Sequence, residues 1–192
     1  GYGALYNNNT GENNTASGYQ ALFGNTGGTE NVAVGYRALY KNTVDNNVAI
    51  GTHALYNNTT GTRNVASGYQ AHYYNSTGEQ NVASGYQALY NNTTGYGNVA
   101  IGTQALYDND VDGNVAVGHQ AMLGNTGGTG NVAFGFKALY SNTTGTRNVA
   151  VGHQALYTNS TADNNHASGY QALYANSTGY ENVAVGSFAL DK

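Results

Sequence analysis

Three aspartates alternate with other residues in one short stretch and could bind a metal ion. Asp108, Asp110 and Asp112 are each separated by one residue, and Gly113 follows the third of them. A calcium-binding loop begins with this Asp-x-Asp-x-Asp-Gly spacing, because carboxylate oxygens are ligands that the ion prefers. The twelfth position of such a loop is His119, where a bidentate glutamate is needed. The stretch is therefore a candidate calcium site with an incomplete ligand set, and a solvated acidic loop is the alternative interpretation.

The chain is a tandem repeat, which decides where every candidate residue lies. A Gly-x-x-Ala phrase occurs twelve times in 192 residues, spaced by 17 residues nine times and by 16 residues twice. A short, regular period predicts one structural unit stacked on copies of itself, which is a solenoid. We call each repeat a rung and number its positions from the glycine. These glycines are Gly1, Gly18, Gly35, Gly51, Gly68, Gly85, Gly102, Gly118, Gly135, Gly152, Gly169 and Gly186.

Alternating side chains within each repeat predict a β-strand. Residues 31–39 read Asn-Val-Ala-Val-Gly-Tyr-Arg-Ala-Leu, and the small Ala33 and Gly35 share one face of such a strand. Asn-Thr-Thr-Gly segments such as 58–61 supply turn residues. Rungs paired in register form an all-β fold, a parallel β-solenoid (β-roll) of about eleven rungs of 16–17 residues. We expect the loop at positions 11–13 to face solvent and to lack a residue in the shorter repeats.

Two positions of the repeat are asparagine throughout, and we expect them to form hydrogen-bonded ladders. Some, such as Asn58, begin the Asn-x-Ser/Thr signal for N-glycosylation, but position 8 is also asparagine at Asn25 and Asn42, where that signal is absent. A structural role is therefore favoured over glycan attachment. The ladder at position 8 consists of Asn8, Asn25, Asn42, Asn58, Asn75, Asn92, Asn109, Asn125, Asn142, Asn159 and Asn176. The ladder at position 14 consists of Asn14, Asn31, Asn47, Asn64, Asn81, Asn98, Asn114, Asn131, Asn148, Asn165 and Asn182.

Tyrosine occupies position 6 in nine of the twelve copies. These rings predict either a self-stacked ladder, which is favoured, or a surface that contacts sugar rings. Positions 5 and 6 are adjacent, so one faces inward and the other outward on a strand. A stripe of leucine or tyrosine would then be exposed along a single rod, and trimerisation would cover it. Besides Tyr6 in the first copy, the tyrosines at this position, which are the candidates for packing or glycan contact, are Tyr40, Tyr56, Tyr73, Tyr90, Tyr107, Tyr140, Tyr157 and Tyr174.

The other residues that could do chemistry do not converge. His119 and His153 share position 2 but lie two rungs apart, about 10 Å, which is too far for one metal ion. The serines lack an accompanying His/Asp arrangement, and the glycines follow the repeat period rather than a phosphate-binding loop. We therefore expect no enzymatic activity and no cofactor besides the candidate calcium ion.

Composition excludes further classes of function. The net charge is −4 without a basic stripe, which argues against nucleic-acid binding, and no apolar run is long enough to insert into a membrane. The absence of cysteine leaves the redox compartment open. The repeat pattern runs from Gly1 to Lys192, so we expect residues 1–192 to be a single repeat array from a longer fibrous protein.

A recurring run links the chain to known repeat families. Asn-Val-Ala-Val/Ile/Ser-Gly-x-x-Ala occurs, for example, at 31–38, 64–71 and 148–155. It resembles the head repeats of trimeric autotransporter adhesins (YadA-like), and the version Gly-Tyr-Gln-Ala-Leu-Tyr looks like repeats of phage and viral tail fibres. The adhesin resemblance implies a left-handed parallel β-roll of three chains that binds host surface molecules. The repeat here is longer than that family's, with its extra residues in the Tyr-x-Asn-Thr-Thr-Gly segment.

These observations together predict a non-enzymatic fibre or adhesin shaft segment. It is expected to be a homotrimer located extracellularly, on a cell surface or on a virion. Repeated Tyr, Asn and Thr positions would support attachment to a surface glycan or host receptor. The alternative is a stand-alone glycan-binding or ice-binding β-solenoid. A glycan-degrading fibre enzyme would need a carboxylate cluster that the sequence does not contain.

Overall fold

A computed structural model describes residues 1–191, and this part of the chain is an all-β solenoid. Eleven strands of three residues form one parallel sheet, in which each strand pairs with its neighbours in sequence. Ala33 pairs with Ala49 and Ala66 with Ala83, one rung further along. The predicted parallel β-solenoid is confirmed. The strands are β1 (Thr15–Ser17), β2 (Val32–Val34), β3 (Val48–Ile50), β4 (Val65–Ser67), β5 (Val82–Ser84), β6 (Val99–Ile101), β7 (Val115–Val117), β8 (Val132–Phe134), β9 (Val149–Val151), β10 (His166–Ser168) and β11 (Val183–Val185).

Each strand is shorter than the sequence pattern predicts. β2 ends at Val34 and does not continue to Leu39. The backbone φ is +132° at Gly35, +53° at Arg37 and +50° at Leu39. Repeated left-handed residues cannot continue an extended strand. The prediction of a strand is therefore right for residues 32–34 but wrong for its continuation to Leu39.

The coiled segment at positions 1–7 is held by hydrogen bonds between rungs. Arg37 N–H donates to the carbonyl of Tyr19 in the preceding rung at 2.9 Å, and Leu39 N–H donates to Ala54 in the following rung at 3.0 Å. A left-handed φ costs a non-glycine residue about 1–2 kcal/mol. The hydrogen bonds offset that cost. Without them, these backbone N–H groups would lack partners, which would itself destabilise the fold.

The interior of the solenoid is thin and consists of small side chains. Ala83, Ala88 and Leu89, which represent positions 16, 4 and 5, are fully buried. Position 5 therefore faces inward, while the position 6 ring of Tyr90 is half-buried on the outside. The expected exposed stripe is not formed by leucine. Instead, apolar residues at positions 15 and 17 reach solvent on the outer face of the sheet, among them Ile50, Val65, Ile101, Phe134 and Val151.

Position 1 must be glycine because the next rung passes directly over it. Gly85 has a φ of +139°, and a Cβ atom there would lie 2.5 Å from the carbonyl oxygen of Gly102. Both the conformation and the space exclude a side chain. Glycine therefore recurs once in every rung, at the point where the backbone of the next rung passes over it.

The shorter repeats lack position 10, which corrects the expected loss at positions 11–13. In a full rung the position 11 carbonyl of Gly61 accepts one hydrogen bond from Asn58 at 2.8 Å and one from Asn47 at 2.9 Å. In the shorter rung the carbonyl of Val44 accepts the two corresponding bonds at 2.7 and 2.8 Å. Position 11 is retained for these bonds. It is buried at Gly61, so this loop does not face solvent throughout.

Candidate functional site

The structure brings the position 8 asparagines together in a buried ladder. Asn58 Nδ2 donates to Asn42 Oδ1 at 2.6 Å and to the Gly61 carbonyl at 2.8 Å. Asn58 Oδ1 accepts from Asn75 Nδ2 at 2.7 Å. Asn58 and Asn75 are fully buried although both begin a glycosylation signal, so their amides are not accessible to a glycan-transferring enzyme in the folded chain.

The position 14 asparagines hold the beginning of each strand. Asn64 Oδ1 accepts from the backbone N–H of Asn81 at 3.0 Å, while Asn64 Nδ2 donates to the Gly78 carbonyl at 2.8 Å. The same pattern links Asn64 N–H to Asn47 Oδ1 at 3.0 Å. Each side chain therefore satisfies backbone groups of the next rung, which is what a buried turn requires.

Replacing Asn58 with aspartate should destabilise the rod by about 3 kcal/mol at pH 7. The carboxylate cannot donate, and it would face the oxygens of Asn42 and Gly61, to which the amide now donates. Burial raises the pKa of such a carboxyl group, so the loss should shrink as the pH is lowered towards that pKa. Urea unfolding followed by circular dichroism at pH 7 and pH 4 measures both effects.

Asn57→Asp is the matched control for this prediction. Asn57 precedes Asn58, is half-buried, and makes a backbone hydrogen bond to Tyr73. No hydrogen bond of its side chain is found among residues 1–191, so this change should alter stability by less than about 0.5 kcal/mol. Equal losses in the two variants would contradict a special role of the position 8 amide.

The position 6 tyrosines lie in stacks along the rod. Tyr40 and Tyr56 have ring centroids 5.1 Å apart with planes inclined by 3°, and Tyr56 and Tyr73 are 5.2 Å apart with 4°. The stack continues through Tyr90 to Tyr107, and a second one contains Tyr140, Tyr157 and Tyr174. Within a stack each ring face lies against the neighbouring ring, so a sugar finds ring edges rather than open faces.

A second aromatic stack and an amide ladder run beside the first stack. Position 2 carries stacked rings such as Tyr19 and Tyr36, at 5.3 Å. Between positions 2 and 6 lies position 3, since the guanidinium carbon of Arg37 is 5.2 Å from the Tyr36 ring centroid and 5.3 Å from that of Tyr40. Position 3 is glutamine in seven rungs, and Gln87 Nε2 donates to the preceding glutamine side chain at 3.0 Å. Together they form a groove with aromatic walls and an amide floor.

Asp110 is occupied by hydrogen bonds from the preceding rung. Its carboxylate accepts from Thr93 N–H at 2.9 Å, Thr93 Oγ1 at 2.6 Å and Thr94 N–H at 2.7 Å. Burial alone would raise the pKa of Asp110, but the hydrogen bonds from both threonines outweigh it and hold the pKa below its usual value. Between full rungs, the N–H groups of positions 9 and 10 donate to a backbone carbonyl of the next rung. Here the Asp110 carboxylate accepts these two hydrogen bonds instead.

The other two candidate calcium ligands also have separate partners. Asp108 Oδ1 accepts from Asn91 Nδ2 at 2.7 Å, and Asp112 Oδ1 accepts from the backbone N–H of Tyr96 at 2.8 Å. Within residues 1–191 no group of three or more His, Asp or Glu side chains is placed to hold a metal ion. The three aspartates therefore do not converge as the loop spacing suggested.

Sequence reasoning missed a role for aspartate at position 12. Like Asp112, Asp45 accepts a hydrogen bond from a backbone N–H one rung earlier, that of Thr29, at 2.8 Å. Asp163 accepts from Thr146 N–H at 2.6 Å. The sequence signal for this role is that aspartate recurs at position 12. It stands immediately before position 13, whose backbone is left-handed, as at Asn46 and Asn164.

His72 replaces leucine in the core and interrupts the asparagine ladder. The side chain is fully buried, and its Nε2 lies 3.0 Å from Asn92 Nδ2. In most other rungs, as at Asn75 and Asn109, the position 8 amide donates to the preceding asparagine. Here Asn75 Oδ1 and His72 Nδ1 have no hydrogen-bond partner among the described residues. Burial lowers the pKa of His72 to about 3, so the ring is neutral at pH 7.

The remaining histidines do not form a metal site. His119 and His153 lie on opposite faces of Phe136, with centroid distances of 5.4 and 4.9 Å. His166 lies in β10, where other rungs have valine or threonine. These rings therefore take the places of other side chains in the repeat.

The candidate functional features are ladders and surfaces rather than one cleft. Comparisons of the chain with protein-family models, curated proteins and solved structures found no match. Residues 1–191 include no helix suited to cross a membrane. The function must therefore be inferred from the repeated surfaces of the solenoid themselves.

Proposed function

We propose that the chain is a structural rod, a shaft segment of an extracellular or virion-attached fibre or adhesin. The observation that carries this proposal is the unbroken parallel sheet of eleven strands, flanked by asparagine, glutamine and tyrosine ladders that each extend over several rungs. Each ladder connects a rung to its immediate neighbours, so resistance to bending is distributed along the whole array. Such a body suits the task of holding a binding part away from a surface. Attachment to a glycan or receptor would be distributed over the exposed Tyr and Thr positions.

The outer face of the sheet supports a homotrimer. Ile50, Ile101 and Phe134 are 46, 42 and 42% exposed on this face. No Asp, Glu, Lys or Arg occurs at positions 15–17 in any rung. Soluble monomers seldom leave a long apolar surface uncovered. We therefore place the seam between chains on the valine and isoleucine face, rather than on the leucine or tyrosine stripe expected from the sequence.

Light scattering together with circular dichroism tests the trimer. The expected result is a β-rich particle of three chain masses of 20.0 kDa each. The double variant Ile50→Lys/Phe134→Lys should give one chain mass with an unchanged spectrum, because buried charges are costly at a seam. Thr60→Lys/Thr144→Lys, on exposed turns, is the control and should remain trimeric. A β-rich monomer of the unaltered chain would exclude the trimer, and a trimeric Ile50→Lys/Phe134→Lys variant would exclude this face.

Glycan binding by a stand-alone solenoid is the second candidate function. A cavity of about 510 Å³ lies between Tyr2, Tyr6, Gln20 and Phe23, where Gly3 replaces the usual position 3 side chain. Saturable signals on a glycan array would favour this function, whereas an inert, elongated and stable particle would favour the shaft.

Ice binding is less well supported by the threonines. An ice-binding surface needs free, regularly spaced hydroxyl groups on a flat face. Thr59 Oγ1 instead donates to the Ser76 carbonyl of the next rung at 3.0 Å, and Thr143 Oγ1 donates to Ser160 at 2.9 Å. These hydroxyl groups therefore contribute to the bonding between rungs.

A further inference from the structure

The position 2 aromatic stack is interrupted at Thr103. On one side Tyr86 stacks on Tyr69 at 5.5 Å, and on the other His119 stacks on Phe136 at 5.4 Å. Thr103 occupies position 2 of the rung between Tyr86 and His119. Each of these two rings therefore has one face against an aromatic neighbour and its opposite face towards Thr103. Both are exposed to solvent.

The interruption has the dimensions of one ring. Successive rungs of a parallel sheet are about 4.8 Å apart, so the rings of Tyr86 and His119 are about 10 Å apart across the missing position. A ring midway between them would lie about 5 Å from each, within the range that aromatic pairs prefer. The chain's own position 2 rings stack at distances between 4.9 and 5.7 Å.

The floor of this gap is intact. Gln120 Nε2 donates to Gln104 Oε1 at 2.9 Å, and Gln104 Nε2 donates to Gln87 Oε1 at 3.3 Å. The amide ladder thus passes beside Thr103 without a break. Two ring faces and a row of hydrogen-bonded amides therefore border the half-buried Thr103.

Two other interruptions differ because a side chain fills them. Beside Thr52, the ring of His53 packs its edge against Tyr36 at 5.2 Å and an interplanar angle of 83°. In the position 6 stack, the missing ring is replaced by the half-buried, apolar Leu123. No aromatic contact within the described residues spans the gap at Thr103.

We propose that the gap at Thr103 binds one aromatic ring, which inserts between Tyr86 and His119 and completes the stack. A free aromatic compound or an aromatic side chain of a partner protein supplies this ring, and its substituents leave through the solvent-exposed end. The binding is independent of whether the rod serves as a shaft. Its driving force is the burial of two exposed ring faces together with ring stacking.

Fluorine NMR of 4-fluorophenol with the whole chain tests this site. We expect saturable binding with a dissociation constant of about 1–10 mM, as suits a ligand of this size. Thr103→Tyr supplies the usual position 2 residue and should weaken binding at least tenfold. Thr103→Ser keeps the gap and should bind as the unaltered chain does. Thr52→Tyr should also leave binding unchanged, because His53 already occupies that interruption.

The source of the ring is distinguished with a second probe, a Gly-(4-fluorophenylalanine)-Gly peptide. Tighter binding of the peptide than of 4-fluorophenol would indicate a partner's side chain, and equal binding would indicate a free aromatic compound. Thr103→Phe repeats the blocking test if Thr103→Tyr alters the circular dichroism spectrum. Absence of saturable binding to the unaltered chain, or equal binding to the blocked variants, would overturn the proposal.

Discussion

Gly85→Ala should lower the free energy of unfolding by about 4 kcal/mol, because it adds backbone strain to a direct clash. The added Cβ would lie 2.5 Å from the Gly102 carbonyl oxygen and 2.6 Å from its carbon. Neither rung can retreat easily, since Gly85 N–H donates to Ser67 at 2.8 Å and Gly102 N–H donates to Ser84 at 2.7 Å. Urea unfolding measured by circular dichroism gives the change in midpoint and slope.

Gly97→Ala is the control for strain without a clash. Gly97 has a φ of +66°, and a Cβ there would meet nothing within 4 Å. The expected cost is about 1 kcal/mol. Gln80 occupies the same repeat position with a φ of +57°, so Gly97→Gln should be tolerated similarly. An equal loss of unfolding free energy in Gly85→Ala and Gly97→Ala would contradict this prediction. It would mean that neighbouring rungs can move apart to make room for a Cβ at position 1.

His72→Leu should stabilise the rod and remove its main sensitivity to acid. Leucine is the usual residue at position 5. Without the imidazole, Asn92 Nδ2 can donate to Asn75 Oδ1, as the position 8 amides of the neighbouring rungs donate to the asparagines that precede them. Restoring a partner to a buried acceptor and removing a buried polar ring should add about 1–3 kcal/mol at pH 7.

The acid sensitivity follows from the lowered pKa of His72. The unfolded chain binds a proton at this residue below its ordinary pKa of 6.5, whereas the folded chain binds it only near pH 3. The stability of the unaltered chain should therefore fall as the pH is lowered from 6.5 to 3, by about 4–5 kcal/mol relative to His72→Leu. Unfolding curves of the two proteins between pH 7 and pH 3 measure this difference. Parallel curves would mean that His72 reaches solvent in the folded rod.

The sheet could be predicted from the sequence because the fold admits only small residues at certain positions of the repeat. Ala at position 16 must face the thin interior, and Gly at position 1 must lie beneath the next backbone, as at Gly85. Both leave a fixed period in the sequence. The left-handed conformation of Leu39 and Arg37 leaves no such trace, since neither residue prefers a positive φ. It is imposed by hydrogen bonds to other rungs.

The ladders and the gap could be anticipated only in part. Constant asparagine suggests a buried amide, but only its partners reveal that Val44 occupies position 11 and that position 10 is the one omitted. Likewise, the aspartate spacing suggested a single calcium loop, whereas Asp110 and Asp112 bond to different residues of the preceding rung. Thr103 looks like an ordinary substitution until its neighbours are seen to stack.

The register of the sheet also determines how the chain can fold. Paired residues such as Ala66 and Ala83 are one repeat apart, so the separation of contacts is about 17 of 192 residues, a relative contact order of about 0.09. Values of roughly 0.07–0.12 are typical of fast-folding helical proteins, whereas parallel sheets usually require distant pairing. The rod can therefore fold by sequential addition, in which each folded rung provides the strand on which the next one pairs. Mechanical extension should unfold it from an end, in steps of one repeat.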